Sequence, residues 1–249
     1  MTDGEERVAI VTGGAQGVGL AIARRLLDQG YRVIIADLVA SEVLPDGLGD
    51  RSVIADVDVT EREQVEALVA LIVQRFDRID VLVNAAGLFS RLRRQRFDQI
   101  PVDEWRRIFA VHVEGVWHCC SAVAARMKAA RAGSIVNIAS ASAFSGNPDL
   151  LPYVTSQGAV LTMTACLARG LGEFGIRVNA VAPGLVAGED VLPSEHLTVQ
   201  RIEATRKARA LHADLDSDSV AIAVAYLASD AASMVTGQTL RVDGGSAMI

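Results

Sequence analysis

Apolar positions along the chain follow two rhythms. Short runs rich in β-branched residues, "RVAIVTG" (7–13), "YRVIIAD" (31–37), "RSVIADVDV" (51–59), "RIDVLVNAAG" (78–87), "GSIVNIAS" (133–140) and "IRVNAVAPG" (176–184), are almost continuously hydrophobic. Strands buried on both faces of a parallel sheet read this way. Between them, "GLAIARRLLDQG" (19–30) and "EREQVEALVALIVQRF" (61–76) carry apolar residues at helical spacing, and Gly30 stands where a helix C-cap is expected. A long helix fits residues 153–173. Strands alternating with helices predict right-handed βαβ units and an α/β fold with a doubly wound parallel sheet. No repeat, linker or low-complexity tract interrupts the pattern, so a single domain over 1–249 is expected. Two stretches break the rhythm: the arginine-rich "LFSRLRRQRFDQI" (88–100) and residues from about 188 to 212. Both follow carboxyl ends of strands, the edge where open α/β sheets bind ligands.

Composition narrows the function classes. With 51% hydrophobic and 22% charged residues the chain reads as an ordinary globular protein. A net charge of -6 offers no basic field, so no nucleic-acid partner is expected. No apolar run is long enough to suggest a membrane span, and the acidic start "MTDGEERVAI" is unlike a secretory signal. The three cysteines are Cys119, Cys120 and Cys166. Their spacing matches neither a disulfide framework nor a zinc site. A reducing cytoplasm and no metal are the expectations.

The first strand runs into "TGGAQGVG" and then a helix. Gly13, Gly17 and Gly19 permit a tight turn and let the backbone approach a pyrophosphate at the positive helix end near Val18, with Gln16 in the loop. Asp37 closes the second strand. A carboxylate there accepts both hydroxyls of an adenosine ribose and repels a 2′-phosphate, so the expected cofactor is NAD, with NADP second.

These residues resemble the TGxxxGxG signature of the short-chain dehydrogenase/reductase family, and the resemblance runs along nearly the whole chain. "DVT" (58–60) looks like the family's adenine-contacting turn, "NAAG" (84–87) like its NNAG strand end and "IVNIAS" (135–140) like the strand carrying the active-site serine. "APG" (182–184) resembles the loop over the nicotinamide and "ASMVTGQTLRVDGG" (232–245) the closing segment. The resemblance implies a Rossmann-type sheet of about seven strands with helices on both faces. It also implies cofactor contacts from Asp58, Val59, Asn84, Ala86, Gly87, Tyr153, Gln157, Pro183, Gly184 and Val186.

Four positions inherit catalytic roles by the same resemblance: Ser140 to hold the substrate oxygen, Tyr153 to transfer its proton, Gln157 and His112. Gln157 occupies the family's lysine position and His112 its usual asparagine position. A glutamine still hydrogen-bonds a ribose, but it supplies no charge. A unit charge at ~5 Å with an effective dielectric near ~20 stabilises a phenolate by roughly 3 kcal/mol, about 2 pKa units. The oxidised nicotinamide, and His112 if protonated, can supply part of the missing charge. Gly188 stands where the family often has a threonine for the carboxamide, and Ala85 replaces the second asparagine of NNAG.

Ser142, Phe144 and Leu150 are expected to line a mostly apolar substrate wall, weakly similar to relatives acting on ring-bearing or aromatic secondary alcohols. The arginines 91, 93, 94 and 96 suit an acidic substrate tail or simply form a solvated loop. The 188–212 segment, with Glu189, Asp190, Pro193 and His196, reads as a substrate lid. Two readings stay open: an NAD-dependent oxidoreductase acting on a secondary alcohol or ketone, or a cofactor-binding homologue with little or no turnover. A lyase or epimerase on the same fold is a weaker third. The resemblance further implies a homotetramer built through the helices near 101–129 and 153–173 and the strand "TLRVDGG", with Cys119 and Cys120 packing near that interface.

Overall fold

The computed structural model of the chain describes residues 6–38, 48–89, 92–187 and 198–246. In chain order the elements are β1 (Val8–Thr12), α1 (Gly17–Asp28), β2 (Arg32–Asp37), β3 (Ser52–Asp56), α2 (Arg62–Phe76) and β4 (Val81–Asn84). There follow α3 (Val102–Phe109), α4 (Gly115–Ala130), β5 (Gly133–Ile138), α5 (Leu151–Leu171), β6 (Ile176–Pro183), α6 (Val199–Ala208), α7 (Ser217–Ala228) and β7 (Thr239–Val242). The seven strands form one sheet in the order β3-β2-β1-β4-β5-β6-β7, and every pairing is parallel.

Each strand presents alternate residues to two cores. Val8 and Ile10 of β1 join the cluster under α2, α4 and α5, while Ala9 and Val11 join the cluster under α1 and α7. That two-sided burial is why the strands are apolar at every position. Arg25 of α1 reaches Asp218 of α7 at 2.6 Å, tying the two helices of one layer. The chain leaves β1 toward β2 and β3 and returns to β4 on the other side. The switch point therefore lies between β1 and β4, with Thr12 paired to Asn84 at its rim.

Several elements begin or end elsewhere than the apolar runs suggest. The third strand stops at Asp56, because Asp58 Oδ1 accepts both the Thr60 N–H (2.9 Å) and its hydroxyl (2.7 Å) in a tight turn. The fourth starts only at Val81, because Asp80 turns back to take the Val8 N–H at 2.7 Å. The helix expected at 153 begins at Leu151, with Pro152 in its first turn, where a missing N–H costs nothing. Between α3 and α4 lies a π turn, Ala110–Glu114, closed by the Gly115 N–H on the Ala110 carbonyl.

Contrary to the sequence reading, two helical stretches, Val102–Ala130 and Pro148–Phe174, are long and apolar enough to cross a membrane by length and composition alone. Their apolar faces are spent on the sheet: Val116, Cys119, Cys120, Val123 and Met127 from one, and Val160, Ala168 and Leu171 from the other, belong to the same core. Cys119 and Cys120 are buried in the core, a packing role. Burial pushes both thiols up, Cys120 to about 12.

Candidate active site

The glycine loop joins β1 to α1 at the switch point. A Cβ on Gly13 would lie 2.6 Å from the Ala86 backbone, and one on Gly19 would run into the Gly13 carbonyl. Both positions therefore admit only glycine, and Gly13 and Gly17 also adopt positive φ (64° and 54°). Thr12 Oγ1 accepts the N–H groups of Ala85 (3.2 Å) and Ala86 (3.4 Å), stitching this loop to the end of β4. Gln16 precedes α1 in extended conformation and makes no side-chain cap. The first N–H groups of α1, from Gly17 to Gly19, thus keep their capacity for an anion.

Asp37 is held at the end of β2. Its two oxygens accept the Ala15 N–H at 3.1 Å and the Leu38 N–H at 2.8 Å, so the carboxylate faces the glycine loop. The Asp58–Thr60 turn, with buried Val59, ends the neighbouring stretch. On the other side of the switch point Gly184 donates to the Val242 carbonyl at 2.9 Å. Val186 bridges to Leu215. Arg209, 3% exposed, donates to the carbonyls of Leu185 (2.6 Å) and Ala213 (2.7 Å) and so fixes the loop after Pro183. Gly188, Glu189, Asp190, Pro193, His196 and Arg91 lie outside the described residues, so of the proposed lid the structure describes 198–212 only.

The four candidate catalytic residues come together beside this cradle. Ser140 Oγ accepts from the Ser142 N–H (3.2 Å) and the Ser142 hydroxyl (2.9 Å), which leaves its own proton to donate. It hydrogen-bonds the Tyr153 side chain. Burial pushes the Tyr153 phenol above its ordinary value of 10.0, and the Ser140 hydrogen bond acts in the opposite direction. The Tyr153 ring centre lies 5.5 Å from that of His112, edge-on, and 5.8 Å from that of Phe89, tilted.

His112 sits in the π turn, an irregularity that often aims a functional side chain. Its Nε2 accepts the Leu88 N–H at 2.9 Å, and its Nδ1 lies 2.9 Å from Ser156 Oγ. Burial lowers its pKa from 6.5 to about 4. The idea that a protonated His112 replaces the missing cation therefore fails, because the ring is neutral and one nitrogen is committed as an acceptor. Gln157 is also buried. Its Nε2 lies 3.4 Å from His112 Nδ1, and its Oε1 has no partner among the described residues. An unpartnered buried amide group beside a glycine cradle fits a ribose hydroxyl, so the residues present suit a nicotinamide dinucleotide.

On the substrate side, Ser142 is committed to Ser140. Phe144 is half-exposed, with the Arg241 guanidinium 5.2 Å over its ring. Leu150 packs with Leu92, Ile108 and Tyr153. The arginine segment folds back on this wall: Arg94 pairs with Asp149 at 3.0 Å and Arg96 with Asp98 at 2.9 Å. Arg93 remains exposed at the rim of a hollow that also borders Tyr153.

Ser156, Thr12 and Arg209 are site residues the sequence reading missed. Ser156 was visible only as a hydroxyl beside Gln157 inside a helix, and Arg209 only as one of many charges in an irregular stretch.

Comparisons with known proteins agree with this fold. Residues 13–247 match the family model described as enoyl-(acyl carrier protein) reductase. The chain is 34% identical over 250 residues to the 3-oxoacyl-[acyl-carrier-protein] reductase FabG of Staphylococcus aureus (strain N315), covering 96% of this chain and 98% of the relative. It is 36% identical over 245 residues to an uncharacterized oxidoreductase of Mycobacterium bovis, covering 96% of each. Among solved structures, ElxO with NADP bound matches with a TM-score of 0.89 and 26% identity, over 97% of this chain and 98% of that one.

Proposed function

This chain belongs to the short-chain dehydrogenase/reductase family of NAD(P)-dependent oxidoreductases acting on CH–OH groups, and on that footing we propose that it is an NAD-dependent enzyme of a secondary alcohol and its ketone that favours reduction at neutral pH. The observation that carries this reading is the state of Tyr153: a buried phenol, hydrogen-bonded to Ser140, beside a neutral histidine and a neutral amide. Such a phenol keeps its proton at neutral pH and serves as a general acid.

Ser140 donates a hydrogen bond to the ketone oxygen, and Tyr153 passes its proton to the same oxygen as the alcohol forms. The nicotinamide, when bound, supplies or accepts the hydride. The glycine loop and Asp37 hold the adenosine half, and Gln157 with the Pro183–Val186 loop holds the nicotinamide half. Alcohol oxidation needs Tyr153 as phenolate, so that direction gains only as pH rises. The 3-oxoacyl reductases among the relatives are named for reduction of a ketone, which supports the direction. Phe89 and Leu150 around Tyr153 support an apolar, ring-bearing substituent over a charged one.

NAD is favoured because a carboxylate at Asp37 repels the 2′-phosphate of NADP. That preference differs from the NADP carried by the structural neighbour ElxO. Calorimetric titration with NADH and NADPH is expected to give the tighter binding for NADH, with Asp37→Ala narrowing the gap. Tighter binding of NADPH by the unaltered chain overturns the preference. With a panel of aryl ketones and carbinols, reduction is expected to run at neutral pH, with oxidation rising toward alkaline pH. Binding of cofactor without turnover in either direction at any pH favours the second reading, a cofactor-binding homologue, which the neutral Gln157 supports.

We also propose a homotetramer. Trp117 on α4 and Leu240 on β7 are exposed large apolar side chains on elements through which the family resemblance implies self-association. Sedimentation at micromolar concentration tests it, and a monomer there sinks it.

A further inference from the structure

His112, Ser156 and Gln157 form a chain of hydrogen-bonding groups whose polarity can be followed donor by donor. It begins at a fixed point, the Leu88 backbone N–H, which is only a donor. That group points at His112 Nε2 at 2.9 Å, so Nε2 carries a lone pair. A neutral imidazole with a bare Nε2 carries its proton on Nδ1. The Nδ1–H then donates to Ser156 Oγ at 2.9 Å. Ser156 passes the direction on, because its hydroxyl donates to the Tyr153 backbone carbonyl at 2.7 Å. Every link is consistent, and the far end is again fixed, by a carbonyl that can only accept.

Gln157 reads this polarity. One end of its amide lies 3.4 Å from Nδ1, and the other end is buried without a partner among the described residues. An amide nitrogen facing Nδ1–H would set donor against donor. The oxygen and nitrogen of an amide are told apart by the network around them, and this network puts the oxygen on the Nδ1 side. The unpartnered end is then the NH2 group, with two donors and no acceptor among the described residues.

We propose that His112 and Ser156 are positioning residues that lock the Gln157 amide with its NH2 group outward, so that Gln157 offers hydrogen-bond donors to the nicotinamide ribose. The residue thereby presents the donor polarity of an ammonium group without its charge. Gln157 touches the cofactor, whereas His112 and Ser156 act through it. The proposal rests on the nucleotide-binding reading above for its ligand, but the tautomer and the amide orientation belong to the chain alone.

Two measurements test it. Long-range ¹H–¹⁵N NMR of the full chain, with the His112 signals identified by their loss in His112→Asn, is expected to show the Nδ1–H tautomer across neutral pH. An Nε2–H tautomer or an imidazolium overturns the proposal. Titration with NADH and NADPH then compares Gln157→Lys, which keeps a donor, with Gln157→Met, which has the same length and no polar group. Gln157→Met is expected to weaken binding of the preferred nucleotide about tenfold, and Gln157→Lys to hold it within about threefold, as a donor contact of typical strength implies. Equal weakening by both means the outward group is an acceptor, and weakening by neither means it meets no cofactor; either result overturns the proposal. Ser156→Ala is expected to keep the Nδ1–H tautomer, which the Leu88 N–H sets, and to weaken nucleotide binding through the loosened His112 ring, with Ser156→Thr restoring binding. Loss of nucleotide binding by the unaltered chain would instead overturn the functional reading, while the tautomer remains readable by NMR.

Discussion

Tyr153 shows how far one side chain depends on its neighbours' charge. Where the family resemblance would place a lysine stands the neutral Gln157, the nearby histidine is neutral, and burial works against the phenolate. Gln157→Lys is therefore expected to move the alkaline rise of alcohol oxidation down by about 2 pH units, the shift a unit charge at ~5 Å produces. A pH–rate profile of the variant checks it, and an unmoved profile means that position 157 does not set the phenol's charge state. The serine–tyrosine pair was legible in the sequence because Ser140 and Tyr153 sit on consecutive segments at a fixed spacing. The role of Ser156 was not. It depends on which nitrogen of His112 faces it, and that is set by the Leu88 N–H on another loop.

Among the elements, the β1–α1 junction carries the tightest packing at the site. Gly19→Ala would drive a methyl group into the Gly13 carbonyl. Overpacking of this kind costs about 1–3 kcal/mol, and here the strain falls on the loop proposed to hold the pyrophosphate. Nucleotide affinity is expected to drop more than tenfold, with a denaturation midpoint only modestly lowered; calorimetry and urea titration separate the two. The strand and helix cores were legible from periodicity, because both faces of the sheet are covered and the apolar runs are unbroken. Their ends were not. Asp58, Asp80 and Pro152 set them through side-chain turns and missing donors that interrupt an apolar pattern without erasing it. The Arg94–Asp149 and Arg96–Asp98 pairs were equally hidden, since charge alone does not say whether an arginine meets a ligand or a neighbouring loop.

For the molecule as a whole, one buried histidine couples the site to stability. The His112 pKa falls from 6.5 in the unfolded chain to about 4 in the native one. Between those values the unfolded state binds more protons, so stability rises with pH across that window and is lost as pH falls through it. Going from pH 7 to pH 5 should cost about 2 kcal/mol from this group. His112→Asn should remove that part of the acid sensitivity, and urea denaturation of both proteins at the two pH values measures it. Equal acid sensitivity in the two proteins would mean that His112 titrates normally when folded. The doubly wound topology was legible from the order of runs, and the family from motifs spread along the chain.

The π turn at Ala110–Glu114 places one residue more in that stretch of helix than an α-helix would hold. Chain length is thus a variable of the site in its own right, separate from residue identity. Removing Val111 would let α3 run straight into α4 in regular α-helical form, with the core face of α4 kept in register. Only the bulge that turns His112 toward Leu88 and Ser156 would be gone. Such a deletion is expected to leave the thermal midpoint within a few degrees of the parent while abolishing the His112 tautomer signature and weakening nucleotide binding. A one-residue change in length would then separate foldability from the polarity of the active site, a separation that substitution of the buried histidine cannot achieve without also changing its charge chemistry.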